Sequence, residues 1–367
     1  MSKLKFYSGE KIRKTNADYM IIFGERSNGK TYDTLLHCLI EYVNTGRACA
    51  YIRRWDEDVR GSSLYQSYSN LVANGEVLKV TKGKYNNFIC LNRQLFLVLY
   101  DDNGDIIAKD NNACSFAFAI TQEEHYKSKG YDSIYNIVFD EFLTRSYYIP
   151  DEFIKFQNLL STIIRHKDTV KIYMLGNTIN KYCPYFNEMG LTNVKTMTKG
   201  SIDIYKYGDS GLTVAVEFAD FDSEKKKSNK YFAFNNPKLN MITGKNGVWE
   251  IGIYPHLPTR YKPTDVKYKY YVVFNDDILQ CNIIQVESMT FTFIHAKTTP
   301  IQDDNFNLVY DTQPNYKHNY RLKITQPTNP FERFILSQYT TGKVFYQSND
   351  IGEIMRNYLQ WCKESII

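Results

Sequence analysis

The residues with the clearest chemical potential lie near the start of the chain, where residues 24–31 read Gly-Glu-Arg-Ser-Asn-Gly-Lys-Thr. They fit the pattern G-x-x-x-x-G-K-[ST] at every position. The apolar run 19–23 predicts a buried strand before the pattern, and helical spacing in 32–43 predicts a helix after it. This strand-turn-helix context distinguishes a phosphate-binding loop from a chance glycine turn.

Each part of this loop has its own expected role. Backbone amides turned inward at the glycines attract phosphate groups, together with the N-terminus of the helix. Lys30 is expected to reach the terminal phosphates, and the Thr31 hydroxyl to bind Mg²⁺. The predicted ligands are therefore ATP and Mg²⁺. The predicted nucleotide-binding residues are Gly24, Glu25, Arg26, Ser27, Asn28, Gly29, Lys30, Thr31 and Tyr32.

Two consecutive carboxylates, Asp140 and Glu141, follow the apolar run 137–139. Asp140 is expected to hold Mg²⁺, directly or through water, and Glu141 to polarise the attacking water. Acids after a strand are also common as helix caps or loop residues. In this order after a phosphate-binding loop, the pair indicates nucleotide hydrolysis.

A third polar position is Asn177, at the end of the apolar run 170–175. Ligands of open α/β sheets bind at the carboxyl edge of the strands. Asn177 is therefore a candidate to sense the γ-phosphate or orient the water. An asparagine at a strand-to-turn transition explains the residue equally well.

The elements that must position these residues alternate between strand and helix. Further strands are predicted at 48–52, 115–120, 134–139 and 170–175, and a helix at 151–165. This alternation predicts an α/β fold with a parallel sheet covered by helices. An insertion reaching about residue 110 carries a hairpin signal that turns at 102–104.

After residue 177 the pattern changes to short polar segments, and the charge run 224–227 is typical of a linker. Three strands with tight connections then predict an antiparallel meander, followed by a closing helix. The strands are 267–274, 278–286 and 289–295, and the helix is 351–361. The predicted domains are 1–178, a lid or linker at 179–230, and a β-rich domain at 231–367.

Composition narrows the class without choosing a function. The net charge of +5 permits contact with nucleic acid but is equally typical of an ordinary solvated surface. Seven scattered cysteines without a C-x-x-C pair fit neither a disulfide framework nor a zinc site, which favours a reducing compartment. No apolar run has the length of a signal peptide or membrane span, so we expect a cytosolic protein without membrane contact.

Together these motifs resemble the DNA-packaging ATPases of small tailed phages of the phi29 type, which are P-loop ATPases with an extra strand and a catalytic glutamate in the core. The likeness covers the first half of the chain, in the family's order and spacing. It rests on the phosphate-binding loop, the strand ending Tyr51-Ile52-Arg53-Arg54, the segment 137–142, and the run from Leu159 through Arg165 to Asn177.

The resemblance implies a ring, usually of five subunits, that drives double-stranded DNA into an empty capsid at its portal, or connector, protein. It implies a location in the cytoplasm of the infected host cell and transiently at the portal vertex; whether a structural RNA takes part stays open. It also implies a C-terminal domain like an RNase H-type nuclease. The meander strands carry no carboxylate inside them, so we expect nucleic-acid binding without cutting; Glu287, Asp303, Asp304 and Asp311 leave that open.

The resemblance further assigns Arg165 as an arginine finger, the residue that one subunit inserts into its neighbour's site. The periodicity of 153–164 places Arg165 at the C-terminal end of a helix, where a cation that complements the helix dipole is the plain alternative. Arg145 and Arg53 are the next candidates.

Two other functional classes share these motifs. An ATP-driven helicase or conjugative-type DNA pump would use the same core and would unwind a forked substrate. A non-motor P-loop protein, such as a nucleotide-gated scaffold or kinase, would leave Glu141 incidental and would show no DNA-stimulated hydrolysis.

Overall fold

The computed structural model describes residues 7–25, 28–127, 129–144, 148–177, 183–220, 252–275, 277–302 and 306–364. Its described residues form two compact units, 7–220 and 252–364. Arg26, Ser27, Arg145, Asp303 and Asp304, and the boundary predicted near residue 230, lie outside the described residues. Within the described part of the chain, no helix has the length and apolar character needed to cross a membrane.

A ten-stranded sheet forms the centre of the first unit. Its strands are β1 (Tyr19–Gly24), β2 (Ala48–Arg53), β3 (Asn87–Leu91), β4 (Gln94–Tyr100), β5 (Ile106–Lys109), β6 (Ser115–Ala119), β7 (Ile134–Asp140), β8 (Lys171–Asn177), β9 (Ile202–Tyr207) and β10 (Leu212–Phe218). They lie in the order β3-β4-β6-β2-β7-β8-β1-β10-β9, with β5 paired to β4. The six strands from β6 to β10 in this order are parallel, which confirms the predicted α/β fold.

The helices of this unit follow from the same patterns. They are α1 (Glu10–Arg13), α2 (Lys30–Thr45), α3 (Gly61–Ala73), α4 (Glu76–Val80), α5 (Glu152–Ile164) and α6 (Pro184–Glu188). The face of α2 formed by Leu35, Cys38, Leu39 and Tyr42 is buried, whereas Ile40 and Val43, which belong to the same apolar pattern in the sequence, are exposed. The sequence pattern of the insertion does not predict α3 and α4.

The parallel arrangement of the strands determines which strand ends and helix ends lie at the same edge of the sheet. β1, β7 and β8 end at one edge of the sheet, and Gly24 lies opposite Asn177 in the pairing of β1 with β8. α5 runs back from the end of β7 to the start of β8, so its C-terminus lies at the opposite edge. The three polar motifs therefore share an edge, and the end of α5 does not.

The stretch 179–230, expected to be a lid or linker, also contributes to the sheet. Its described part contains β9 and β10, and β10 pairs in parallel with β1 from Tyr19 to Phe23. The side chains from 214 to 219 are buried. The structure places the described part of this stretch in the central sheet: β9 is an edge strand with half-buried and exposed positions, whereas β10 is buried from Val214 to Phe218 within an otherwise polar stretch.

The second unit contains a six-stranded sheet and two helices among its described residues. The strands are β11 (Val266–Phe274), β12 (Asp277–Val286), β13 (Met289–Ala296), β14 (Val309–Asp311), β15 (Tyr320–Arg321) and β16 (Val344–Tyr346), and the helices are α7 (Pro330–Thr340) and α8 (Asn349–Glu364). The order is β15-β14-β11-β12-β13-β16. β11 to β13 form the predicted antiparallel meander, while β14 and β16 join it in parallel.

Candidate nucleotide-binding site

The turn between β1 and α2 favours glycine at both ends of the motif, for two different reasons. Gly29 has φ of 96°, a left-handed conformation that glycine adopts without strain. A Cβ at Gly24 would come within 3.1 Å of the carbonyl oxygen of Ala219 and 3.3 Å of Asn28 Nδ2. The loop is therefore shaped by close backbone approach as well as by turn geometry.

The side chain of Lys30 points into this loop and is surrounded by oxygen atoms. Its Nζ donates to the carbonyl oxygens of Glu25 (2.8 Å) and Gly24 (3.4 Å), and to the Oδ1 atoms of Asn28 (3.1 Å) and Asn177 (3.3 Å). Lys30 is 5% exposed. The first and third motifs of the sequence therefore meet through this ammonium group.

The electrostatics of the loop suit a polyanion. Burial lowers the pKa of Lys30 to about 8, although the carboxylates of Asp140 and Glu25 oppose that shift. Asn28 Nδ2 is buried and has no hydrogen-bond partner among the described residues, so it is a donor available to an anion. A bound phosphate would supply negative charge to the ammonium and an acceptor to the amide.

Asp140 lies beside Thr31 at the same edge. Its Oδ1 accepts a hydrogen bond from Thr31 Oγ1 (3.1 Å) and from the Glu141 amide (3.1 Å), and its Oδ2 accepts from the Tyr51 hydroxyl (3.0 Å). Burial raises the pKa of Asp140 above its ordinary value, while Arg53 acts against the shift. A buried carboxylate next to a hydroxyl is an oxygen donor set that fits Mg²⁺.

Glu141 adopts φ of 58°, which is uncommon for a residue with a side chain. Its side chain is 58% exposed, and its Oε2 accepts from Arg53 Nη2 at 2.7 Å. Arg53 also lies 3.5 Å from Asp58 and 4.0 Å from Asp140. Arg53 therefore occupies one oxygen of this carboxylate, and that oxygen can contact a water molecule only after the ion pair separates.

Two other predicted nucleotide-binding residues contact elements beside the loop. The Glu25 carboxylate lies 2.5 Å from Lys199 Nζ, in the segment before β9. The Tyr32 hydroxyl donates to Glu76 Oε1 (3.3 Å) in α4.

Arg165 lies apart from the other predicted site residues of this chain. It follows α5 with φ of 51°, and its Nη2 donates to the carbonyl oxygen of Lys129 at 2.7 Å. Lys129 precedes β7, so this contact lies at the edge of the sheet where parallel strands begin. Arg165 therefore lies at the edge of the sheet opposite to this chain's own phosphate-binding loop.

A buried ion pair that the sequence motifs do not predict, Arg54 with Glu152, lies beside the site. Arg54 directly follows β2, and Glu152 is the first residue of α5. The available signal was the doubled arginine at the end of a buried strand, which is an unusual place for two cations unless each has a partner. Arg53 and Arg54 diverge: the first reaches Glu141, the second reaches Glu152.

A parallel sheet with a glycine-bounded loop, a buried lysine, and a threonine-aspartate pair at one edge defines the P-loop class of nucleotide-binding folds. A family model described as podovirus DNA encapsidation protein (Gp16) matches residues 1–336. The chain belongs to this family, which confirms the resemblance to the phi29-type packaging proteins and the assignment to DNA packaging.

Relatives and solved structures agree with this membership. The DNA packaging protein of Bacillus phage PZA is 23% identical over 336 residues, covering 88% of this chain and 90% of the relative. That of Bacillus phage phi29 is 23% identical over 340 residues, with the same coverage of 88% and 90%.

Two solved structures share the fold across nearly the whole chain. The bacteriophage phi-29 viral genome packaging motor assembly aligns with a TM-score of 0.57 and 19% identity, covering 98% of this chain and 99% of that one. The phi-28 gp11 DNA packaging motor aligns with a TM-score of 0.52 and 16% identity, covering 99% of both chains.

Proposed function

We propose that this chain is an ATPase that couples hydrolysis to the translocation of double-stranded viral DNA into a preformed capsid. The observation that carries the proposal is the meeting of Lys30, Thr31, Asp140 and Asn177 at one edge of the parallel sheet. Membership of the DNA encapsidation family supplies the DNA and the capsid.

The chain's own residues have distinct tasks in this proposal. Lys30 leaves its protein oxygens to bind the terminal phosphates, and Thr31 and Asp140 supply oxygen ligands for Mg²⁺. Mg²⁺, when bound, neutralises charge on the β- and γ-phosphates. Glu141, released from Arg53, accepts a proton from the attacking water, and Asn177 orients that water or contacts the γ-phosphate.

The position of Arg165 supports a ring of subunits. Because Arg165 lies at the far edge of its own sheet, we assign it to the neighbouring subunit's site, where it would stabilise charge developing on the γ-phosphate. We propose a homo-oligomeric ring, a pentamer when assembled, that docks on the capsid portal in the cytoplasm of the host cell. A structural RNA is a candidate further partner, and the second unit is assigned nucleic-acid binding without nuclease activity.

The test is ATP turnover measured with and without double-stranded DNA, and with and without empty capsids. We expect turnover to rise with DNA and to reach its full value only with capsids. Unwinding of a forked duplex would favour the helicase alternative. Turnover that is insensitive to DNA would reject the motor and favour a nucleotide-gated scaffold or kinase.

A further inference from the structure

Arg54 makes contacts that none of the tasks above uses. Its Nη1 donates to the carbonyl oxygen of Glu141 (3.2 Å), and its Nη2 donates to the carbonyl oxygen of Phe142 (2.8 Å). Its Nε and Nη2 donate to the two carboxylate oxygens of Glu152, each at 2.8 Å. One guanidinium therefore binds the backbone of the expected catalytic residue and the start of α5 at the same time.

Glu152 completes this network without leaving an orphan oxygen. Its Oε1 also accepts from the Tyr185 hydroxyl, and its Oε2 also accepts from the Ile149 amide, both at 2.9 Å. The side chains of Arg54 and Glu152 are 7% and 1% exposed. The pair is thus a buried, bidentate ion pair in which both carboxylate oxygens have hydrogen-bond donors, rather than a surface ion pair.

The contacts fix both ends of the segment between β7 and α5. At one end Arg54 holds the carbonyls of Glu141 and Phe142, and the Phe142 amide donates to the carbonyl oxygen of Leu175 at 3.2 Å. At the other end Glu152 holds the Ile149 amide. The Glu141 backbone is therefore held in its left-handed conformation, while its exposed carboxylate has only Arg53 as an ion-pair partner among the described residues.

Stability alone is a weak reason for such a pair. Replacing a buried ion pair by apolar side chains of similar volume is often neutral or stabilising, because the charges no longer have to be desolvated. Left-handed backbone at a non-glycine residue persists where surrounding contacts enforce it, and it clusters at functional sites. Arg54 supplies such contacts to Glu141.

We infer that Arg54, held by Glu152, is a positioning residue for ATP hydrolysis. It fixes the backbone of Glu141, so the carboxylate can change its side-chain conformation while the Cα atom stays in place. This inference rests on the proposed function, because it assigns Glu141 as the base. Arg54 touches neither nucleotide nor water in this role and acts only through Glu141.

The experiment compares four variants of the full-length protein with wild type, assayed with DNA and empty capsids. Arg54→Lys keeps the positive charge but loses the bidentate hydrogen bonds of the guanidinium. Arg54→Met combined with Glu152→Met removes both charges and keeps the apolar volume. Tyr185→Phe, the matched control, removes one contact of Glu152 without touching the Glu141 backbone. Glu141→Gln removes the base itself.

We expect kcat to fall at least about tenfold in Arg54→Lys and in the double methionine variant, since misplacing a catalytic group by about 1 Å has effects on this scale. Affinity for ATP should stay within about threefold of wild type. The double methionine variant and Tyr185→Phe should both melt below wild type, because each removes buried hydrogen bonds, but Tyr185→Phe should keep kcat within about twofold.

A double-mutant cycle tests whether Arg54 acts through Glu141. Glu141→Gln should lower kcat much less in the double methionine background than in wild type, because a misplaced base has little left to lose. Wild-type kcat in a folded double methionine variant, or fully additive losses with Glu141→Gln, would overturn the inference.

The failure of the proposed function looks different. Normal turnover in Glu141→Gln itself would reject Glu141 as the base and would reject this inference with it. A strong loss in Glu141→Gln together with normal kcat in both Arg54 variants would reject only the positioning role.

Discussion

Buried acids behave oppositely in the two units. At the edge of the first sheet, burial raises the pKa of Asp140. In the second unit, Glu332 is also buried, yet hydrogen bonds from the Thr328 amide and hydroxyl and the Arg321 guanidinium outweigh its desolvation and lower its pKa. Asp140 lies beside the phosphate-binding loop, where a bound cation would stabilise its charged form, whereas the Glu332 carboxylate already has local donors and holds the start of α7 in place.

The largest expected effect is at Lys30, in the nucleotide site of the first unit. Lys30→Ala should abolish ATP turnover, because the terminal phosphates lose their cation. Lys14→Ala, which removes a lysine that is 72% exposed, is the matched control and should keep wild-type turnover. Steady-state phosphate release measures both, and wild-type turnover in Lys30→Ala would remove the ATPase assignment.

Substitution of Arg165 tests whether the nucleotide site needs an arginine from a neighbouring subunit. Arg165→Ala should bind ATP normally and lose turnover by about 10³-fold. Mixing Arg165→Ala with Glu141→Gln should restore part of the activity, because some interfaces then pair an intact Glu141 with a neighbour's intact Arg165.

Arg47→Ala is the matched control for this experiment, since Arg47 precedes β2 at the same edge of the sheet as Arg165 and is 43% exposed. It should keep full turnover. Full turnover in Arg165→Ala would instead identify this residue as a simple helix-terminal cation.

The contrast between acids can be measured directly by one type of substitution in each unit. Glu141→Gln should lower turnover by about 10²-fold with unchanged ATP binding and unfolding free energy. Glu332→Gln should do the reverse, lowering the unfolding free energy by about 1–3 kcal/mol with unchanged turnover. Denaturant unfolding and ATP turnover are measured for both variants. A loss of turnover in Glu332→Gln at unchanged unfolding free energy would contradict the purely structural role of Glu332.

The smallest effect is a pH dependence at Lys30 in the protein without nucleotide. Burial lowers the folded-state pKa to about 8 from the ordinary value of 10.5, so the unfolded state binds more protons between these values. Stability attributable to Lys30 should therefore rise with pH across that window, by up to about 1.4 kcal/mol per pH unit. The difference in unfolding free energy between wild type and Lys30→Met, measured from pH 7.5 to 9.5, isolates this contribution; a flat difference would contradict it.

Local patterns were sufficient for the elements that bury continuous apolar runs. β1, β2, β7 and β8, the helix α2, and the meander β11 to β13 all lie within a few residues of their predicted bounds. β1, β2, β7 and β8 are buried along nearly their whole length, and the other segments carry enough regularly spaced apolar residues to be predicted locally. The insertion helices, β9 and β10 are not predicted: α3, α4 and β9 mix exposed and buried positions, and β10, although buried, is a short apolar run within a mostly polar stretch.

The residues of the site also divide into those that local sequence features predict and those that long-range contacts bring together. The sequence by itself determined the phosphate-binding loop and the acids after β7, since glycine spacing and a strand end are local features of the chain. Only the tertiary structure decided that Lys30 meets Asn177, that Arg53 engages Glu141, that Arg54 pairs with Glu152, and that Arg165 lies at the opposite edge. These relations join residues between 88 and 147 positions apart or depend on strand direction, and long-range pairing of that kind is set by sheet order, which no local period encodes.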